Sequence, residues 1–156
     1  MIRAAKFGDI PRLTALFEEG HKRSKYAQRA TLDVKETKSL LMQSIQRHGG
    51  GHPGSTFVVV SERGERVDGF FIGVLQRVYH VAVELEASDL HFFMPVGSTD
   101  TRKIISAFEE WAQANERVIA ITLGVTDVIG DPDRTGVIYE RRGYKKVGAI
   151  WQRSLR

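Results

Sequence analysis

Two ionisable side chains one residue apart, Asp89 and His91, stand in the stretch Ser88-Asp89-Leu90-His91-Phe92-Phe93-Met94. Strict alternation along a strand puts Asp89, His91 and Phe93 on one face, and Leu90, Phe92 and Met94 on the other. If that first face opens into a cleft, the histidine is the side chain best matched to proton transfer near neutral pH. The same pair serves equally well as a cross-sheet polar contact with no chemistry attached. Further on, Ser98, Thr99 and Asp100 precede an apolar-periodic run. Any of them can cap a helix there, with the aspartate favoured at the positive helix end.

Other chemistries find no residues to carry them. The chain has no cysteine, which excludes a disulfide scaffold, a thiolate zinc site and a Cys nucleophile. His48 and His52 flank three glycines with no carboxylate nearby, so they read as part of a solvated turn and no metal site is expected. There is no Gly-x-Ser-x-Gly elbow and no Gly-rich loop ending in Lys-Ser/Thr. Lys and Arg total 23 against 19 Asp and Glu, a formal charge of +4. The C-terminal third gathers Arg134, Arg141, Arg142, Lys145, Lys146, Arg153 and Arg156, either a solvated face or an attraction for phosphates or an acidic partner. Nucleic acid is not expected, because the basic residues lack the interleaved aromatics of a stacking platform. No apolar stretch approaches the roughly 18 residues of a membrane span. The first residues carry no apolar signal core, leaving the cytoplasm as the default location.

The elements that must position these residues follow from periodicity. At 156 residues the chain is one domain's worth, at roughly 100–200 residues per domain, and no linker divides 1–156. Ile2 to Ala5 reads as a short strand. Leu13, Leu16 and Phe17 share a face of a helix that begins near Pro11 and that Gly20 is expected to stop. Asp33 to Arg47 is a second helix, and the Gly49–Gly51 run a turn. Strands follow at Thr56 to Ser61, Val67 to Tyr79 and Leu85 to Pro95. Asp100 to Arg117 carries the apolar stripe Ile104, Ile105, Phe108, Trp111 and Ala112. Val118 to Val125 is apolar enough for a strand buried on both faces. A short helix over about Arg134 to Arg142 and a last strand, Tyr144 to Ser154, complete the order β-α-α-β-β-β-α-β-α-β. This is an α+β (mixed α/β) domain whose sheet is mostly antiparallel in the middle and partly parallel later, with helices on both faces.

That order, together with Tyr139-Glu140-Arg141-Arg142-Gly143-Tyr144 and Phe108-Glu109-Glu110-Trp111-Ala112, resembles the GNAT superfamily of acyl-coenzyme A-dependent N-acyltransferases. The first segment is similar to the family's Tyr-Glu-(Arg/Lys)-x-Gly-(Phe/Tyr) near the C-terminus, and the second to a recurrent helix after the fourth strand. The general look is nearest to short members encoded by phages and prophages, which would make a virion-associated location the alternative to the cytoplasm.

The resemblance implies a chemistry. Acetyl-coenzyme A would be the cosubstrate and an amine on a small molecule or protein the acceptor. Its pyrophosphate would lie on the free amides of the helix start after the fourth strand. The implied contacts are Phe93, Met94, Val96, Gly97, Ser98, Thr99, Thr101, Arg102 and Lys103. Aligning Ile104-Ile105 with the family's Leu-(Leu/Ile) puts Gly97 on a glycine. Val96 then takes the place of the usual Arg or Gln, and threonines replace small residues. Asp100 adds a negative charge, and hydroxyls together with Arg102 and Lys103 compensate. Tyr139 matches the tyrosine that protonates the leaving thiolate, while Asp89 or His91 would be the base. Where the family has Asn seven residues before that tyrosine, this chain has Pro132. These departures leave a second expectation: a GNAT-fold protein without catalysis, serving as a binding or structural subunit, for example of a phage particle. A homodimer or larger assembly is expected from open strand edges near the C-terminus. The enzymatic expectation requires the amides just after Met94 to face a gap between splayed strands, not one plugged by Asp100 and Thr101.

Overall fold

The computed structural model describes residues 1–156. Its nine main elements are β1 (Ile2–Ala4), α1 (Ile10–Arg23), α2 (Val34–Gln46), β2 (Thr56–Arg63), β3 (Arg66–Arg77), β4 (Leu85–Phe93), α3 (Asp100–Gln113), β5 (Val118–Thr122) and α4 (Pro132–Glu140). The strands form one sheet in the order β1-β2-β3-β4-β5. All neighbours are antiparallel except β4 and β5, which run parallel. The α+β architecture expected from the sequence is therefore present.

Residues on the two faces of the sheet belong to different cores. Leu13, Leu16 and Leu41 of α1 and α2 pack on Val58, Val60, Phe70 and Ile72. Ile104, Phe108 and Ala112 of α3 pack on Phe57, Val59, Phe71, Leu75, Leu85 and Ala87. Val58 to Val60 is an unbroken apolar run because this inner strand is covered on both sides. Truncating a fully buried leucine such as Leu13 would cost about 2–5 kcal/mol.

Local chemistry sets the helix ends. Asp33 accepts the Glu36 N–H at 3.0 Å and starts α2. Asp131 accepts the Asp133 N–H at 2.9 Å and starts α4, with Pro132 in the first turn. Gly20 does not stop α1, which continues to Arg23. The glycine is needed for proximity, since a Cβ there would lie 3.1 Å from the Phe93 ring.

Two strand expectations fail. Val118 to Thr122 is not buried on both faces: Ile119 is 64% exposed, because β5 is the sheet's edge. Tyr144 to Ser154 forms no strand. Beyond Tyr144 this tail makes no backbone–backbone hydrogen bond. It is held instead by side chains, with Gln152 meeting Lys25 at 2.8 Å and the Tyr26 hydroxyl at 2.6 Å. Unpaired with any strand, its apolar residues stay outside, and Trp151 is 93% exposed.

Candidate functional site

The parallel β4–β5 ladder ends at Ser88↔Thr122, while β4 stays paired with β3 as far as Phe70↔Phe93. Beyond Ser88 no β5 residue pairs with β4, and β5 itself ends at Thr122. Just past that point Asp89 Oδ1 accepts the Gly124 N–H at 2.7 Å. A side chain thus bridges the two strands one residue after the backbone ladder stops.

The β3–β4 register slips at this point. Ile72 pairs with His91 and Gly73 with Asp89, so Leu90 has no partner and forms a bulge. The extra residue resets the alternation of side chains. Directly opposed residues share a face. Gly73 lies under Phe108 of α3, where a Cβ would come within 2.3 Å of the ring, so Asp89 is on the α3 face. Ile72 belongs to the α1–α2 core, and His91 shares its face, with its ring centroid 4.8 Å from that of Phe17 on α1. The expectation that Asp89 and His91 share a face is therefore wrong. The sheet separates them, and only His91 remains with Phe93.

Tyr139 lies on the Asp89 side. It is buried on α4, and its phenol is pushed up to about 12, mainly by burial and secondarily by the charge of Asp89. Burial also raises the Asp89 carboxyl, against the opposing hydrogen bond from Gly124. His91 is pushed down by burial and is neutral at neutral pH.

The position of α4 depends on both motif segments. Arg142 Nε and Nη2 meet Glu109 of α3 at 3.1 and 2.5 Å, and Nη2 also donates to Ser106 at 2.9 Å. The Tyr144 hydroxyl donates to Glu109 at 3.0 Å. The chain turns between them at Gly143, whose φ of +89° suits glycine. Glu109 thus fastens the end of α4 to α3 and fixes where Tyr139 stands.

Between β4 and α3 the loop turns at Gly97, with φ +78° and open space around the position of a Cβ. Ser98 N–H donates to the Pro95 carbonyl at 3.1 Å. Thr99 occupies the cap position without a side-chain cap bond, and Ser98 Oγ reaches the Asp100 N–H only at 3.3 Å. The helix start is therefore weakly capped. Asp100 does not turn into the gap between β4 and β5. Its carboxylate is buried toward β1 and β2, 3.0 Å from Ser61 Oγ, 2.9 Å from Lys103 Nζ and 3.0 Å from the Met1 nitrogen. The Lys103 hydrogen bond is the chief cause holding its carboxyl well below the usual range. Val96 is 81% exposed, and Met94 packs its sulfur on the α3 face over Gly69. Thr101 and Arg102 lie in the first turn of α3. No three His, Cys, Asp or Glu residues converge on a metal position, and no helix is long and apolar enough to cross a membrane.

Three features escaped the sequence: the Leu90 bulge, the Asp89–Gly124 bridge and a cleft where Arg23 and Arg66 meet beside Phe93 and Pro95. A bulge leaves no mark on composition, and the arginines are 43 positions apart in the chain.

No family model and no curated protein matches this chain. Solved structures do. One is described as a "predicted acetyltransferase with acetyl-CoA" from Clostridium acetobutylicum. It is 10% identical, with a TM-score of 0.70 over 99% of this chain and 96% of the other. The ribosomal-protein-alanine N-acetyltransferase of Brucella melitensis biovar Abortus is 14% identical, with a TM-score of 0.62 over 100% of this chain and 98% of the other. The fold of this chain is that of the GNAT acetyltransferases.

Proposed function

We propose that the chain is an N-acyltransferase that moves an acetyl group from acetyl-coenzyme A to a primary amine. The observation that carries this reading is the end of β4–β5 pairing at Ser88 while β4 runs on, with a buried, protonated Tyr139 on one face and a neutral His91 on the other. The weakly capped start of α3 and the turn at Gly97 fit a phosphate arm, with Ser98, Thr99, Thr101 and Arg102 as donors, while the Lys103 ammonium is taken up by Asp100 at 2.9 Å. Phe93 and Met94 end the strand along which the rest of the coenzyme would lie, and Val96 contributes its backbone only. When bound, the thioester supplies an activated acyl carbon.

The residues divide the proton work by face. An amine arriving on the α1 face finds the His91 imidazole, which takes the nitrogen's surplus proton as the carbon–nitrogen bond forms. On the α3 face Tyr139 gives its proton to the departing sulfur as the carbon–sulfur bond breaks. Beyond Ser88 no β5 residue pairs with β4, and a β4 amide turned to that side would be the donor for the carbonyl oxygen as it gains charge. Asp89 acts by position: it ties the strands together at the root of the gap and helps keep the phenol protonated.

The test is thiol release from acetyl-coenzyme A across a panel of amines. Tyr139→Phe should lower kcat about 10²-fold, the low end for loss of a general acid. Unchanged turnover would remove Tyr139 from the reaction. A second reading, a GNAT-fold binding or structural subunit, is favoured by Val96 and Pro132, which stand where the family's coenzyme contacts are expected. It predicts no turnover with any amine and no coenzyme binding. The open β5 edge and the unladdered tail favour a second copy of the chain as partner. Light scattering should then give a dimer mass that falls on dilution, and a monomer at all concentrations would contradict it.

A further inference from the structure

A cleft of about 370 Å³ lies between α1 and the β2–β3 turn, on the same face of the sheet as His91. Four arginines enter it: Arg12 and Arg23 from α1, and Arg63 and Arg66 from either side of the turn. Two are matched within the fold. Arg12 pairs with Glu19 at 3.0 Å and donates to the Val67 carbonyl at 2.8 Å. Arg63 stands 3.5 Å from Asp68 Oδ2. Arg23 and Arg66 have no carboxylate partner. The Arg23 guanidinium sits 5.9 Å from the centroid of Phe93 on the cleft floor. Four cations facing two carboxylates leave an excess of two positive charges around one concavity.

A second observation falls in the same place. Asp68 has no partner across β2, because the register jumps from Ser61↔Gly69 to Glu62↔Val67. Its Oδ1 is the molecule's one buried side-chain polar atom without a hydrogen bond. One oxygen faces Arg63 and the other is shut off inside, so Asp68 pairs with neither Arg23 nor Arg66. Phe93 is two strand positions from His91, roughly 7 Å along β4.

We propose that this cleft seats the negatively charged end of the acyl acceptor, a carboxylate or phosphate held by Arg23 and Arg66. The word acceptor rests on the acyltransferase reading; the oxyanion site itself does not.

The experiment has two arms. In the first, inorganic phosphate is titrated into the isotope-labelled chain and followed by NMR. Shifts confined to Arg23, Arg66 and Phe93 that vanish in the double variant Arg23→Ala/Arg66→Ala support the site. No localised shift at tens of millimolar overturns it, whatever the acyl-transfer assay gives. In the second, amines are offered in pairs that differ only as free acid and amide. The acid should be preferred in kcat/KM by about tenfold or more, the weight of a charge-assisted hydrogen bond. The double variant should erase that preference without lowering Tm. Equal use of acid and amide, or a double variant whose defect lies in acetyl-coenzyme A affinity, would assign the cleft to something other than the acceptor. Phosphate binding with no transfer to any amine would sink the acyltransferase reading and leave the oxyanion site standing.

Discussion

Tyr139 and His91 have their proton affinities shifted in opposite directions by one cause, loss of water. The Tyr139 phenol is raised above its ordinary value of 10. The stability of its neutral form is therefore fully present below pH 10 and is lost as pH climbs through about 12. A reaction that draws on this proton should show an alkaline limb in kcat well above pH 10. In Tyr139→Phe the limb should vanish along with most of kcat. The His91 imidazole is lowered below 6.5. Its contribution is present above pH 6.5 and is lost as pH falls through the depressed value. Replacing His91 with Gln should therefore flatten the acid side of a plot of melting temperature against pH below about 6.5. A plot of unchanged slope would mean that the ring is hydrated.

At the scale of elements, one glutamate links the site to the fold. Glu109 accepts from Arg142 and Tyr144, and so joins the last turn after α4 to α3. Glu109→Ala leaves a partly buried guanidinium unpaired and should cost about 2–3 kcal/mol. Because α4 carries Tyr139, kcat should fall even where the chain remains folded. A Glu109→Ala enzyme with full kcat would show that Tyr139 is positioned by something else. Both motif segments were legible from residue order alone, and what they do here is hold each other. The element order up to α4 and the helices on both faces were legible too, because apolar periodicity carries them; burial on both faces was expected of Val118 to Val125 and falls instead on Val58–Val60. The faces of Asp89 and His91 were not. A single inserted residue, Leu90, reverses alternation without changing composition, and only the partner register reveals it. Gly20 reads as a helix stop in sequence and proves to be a contact point under Phe93. The tail's apolar residues read as a strand, but strand formation needs an edge to pair with, which the sequence of the tail does not specify.

At the scale of the whole molecule, the sheet divides two tasks. The α3 face holds the Gly97 turn, Asp89 and Tyr139, and the α1 face holds His91 and the arginine cleft. Asp100, whose charge the sequence places at the loop proposed to hold the phosphates, has its carboxylate turned to Ser61 and Lys103. The account therefore stands on the coenzyme entering between β4 and β5 from the α3 side. Calorimetric titration with acetyl-coenzyme A tests this most directly. One saturable site per chain is predicted. Thermal unfolding should show about 2.7 kcal/mol of added stability at one hundred times the dissociation constant. No heat and no change in unfolding at millimolar coenzyme would contradict it.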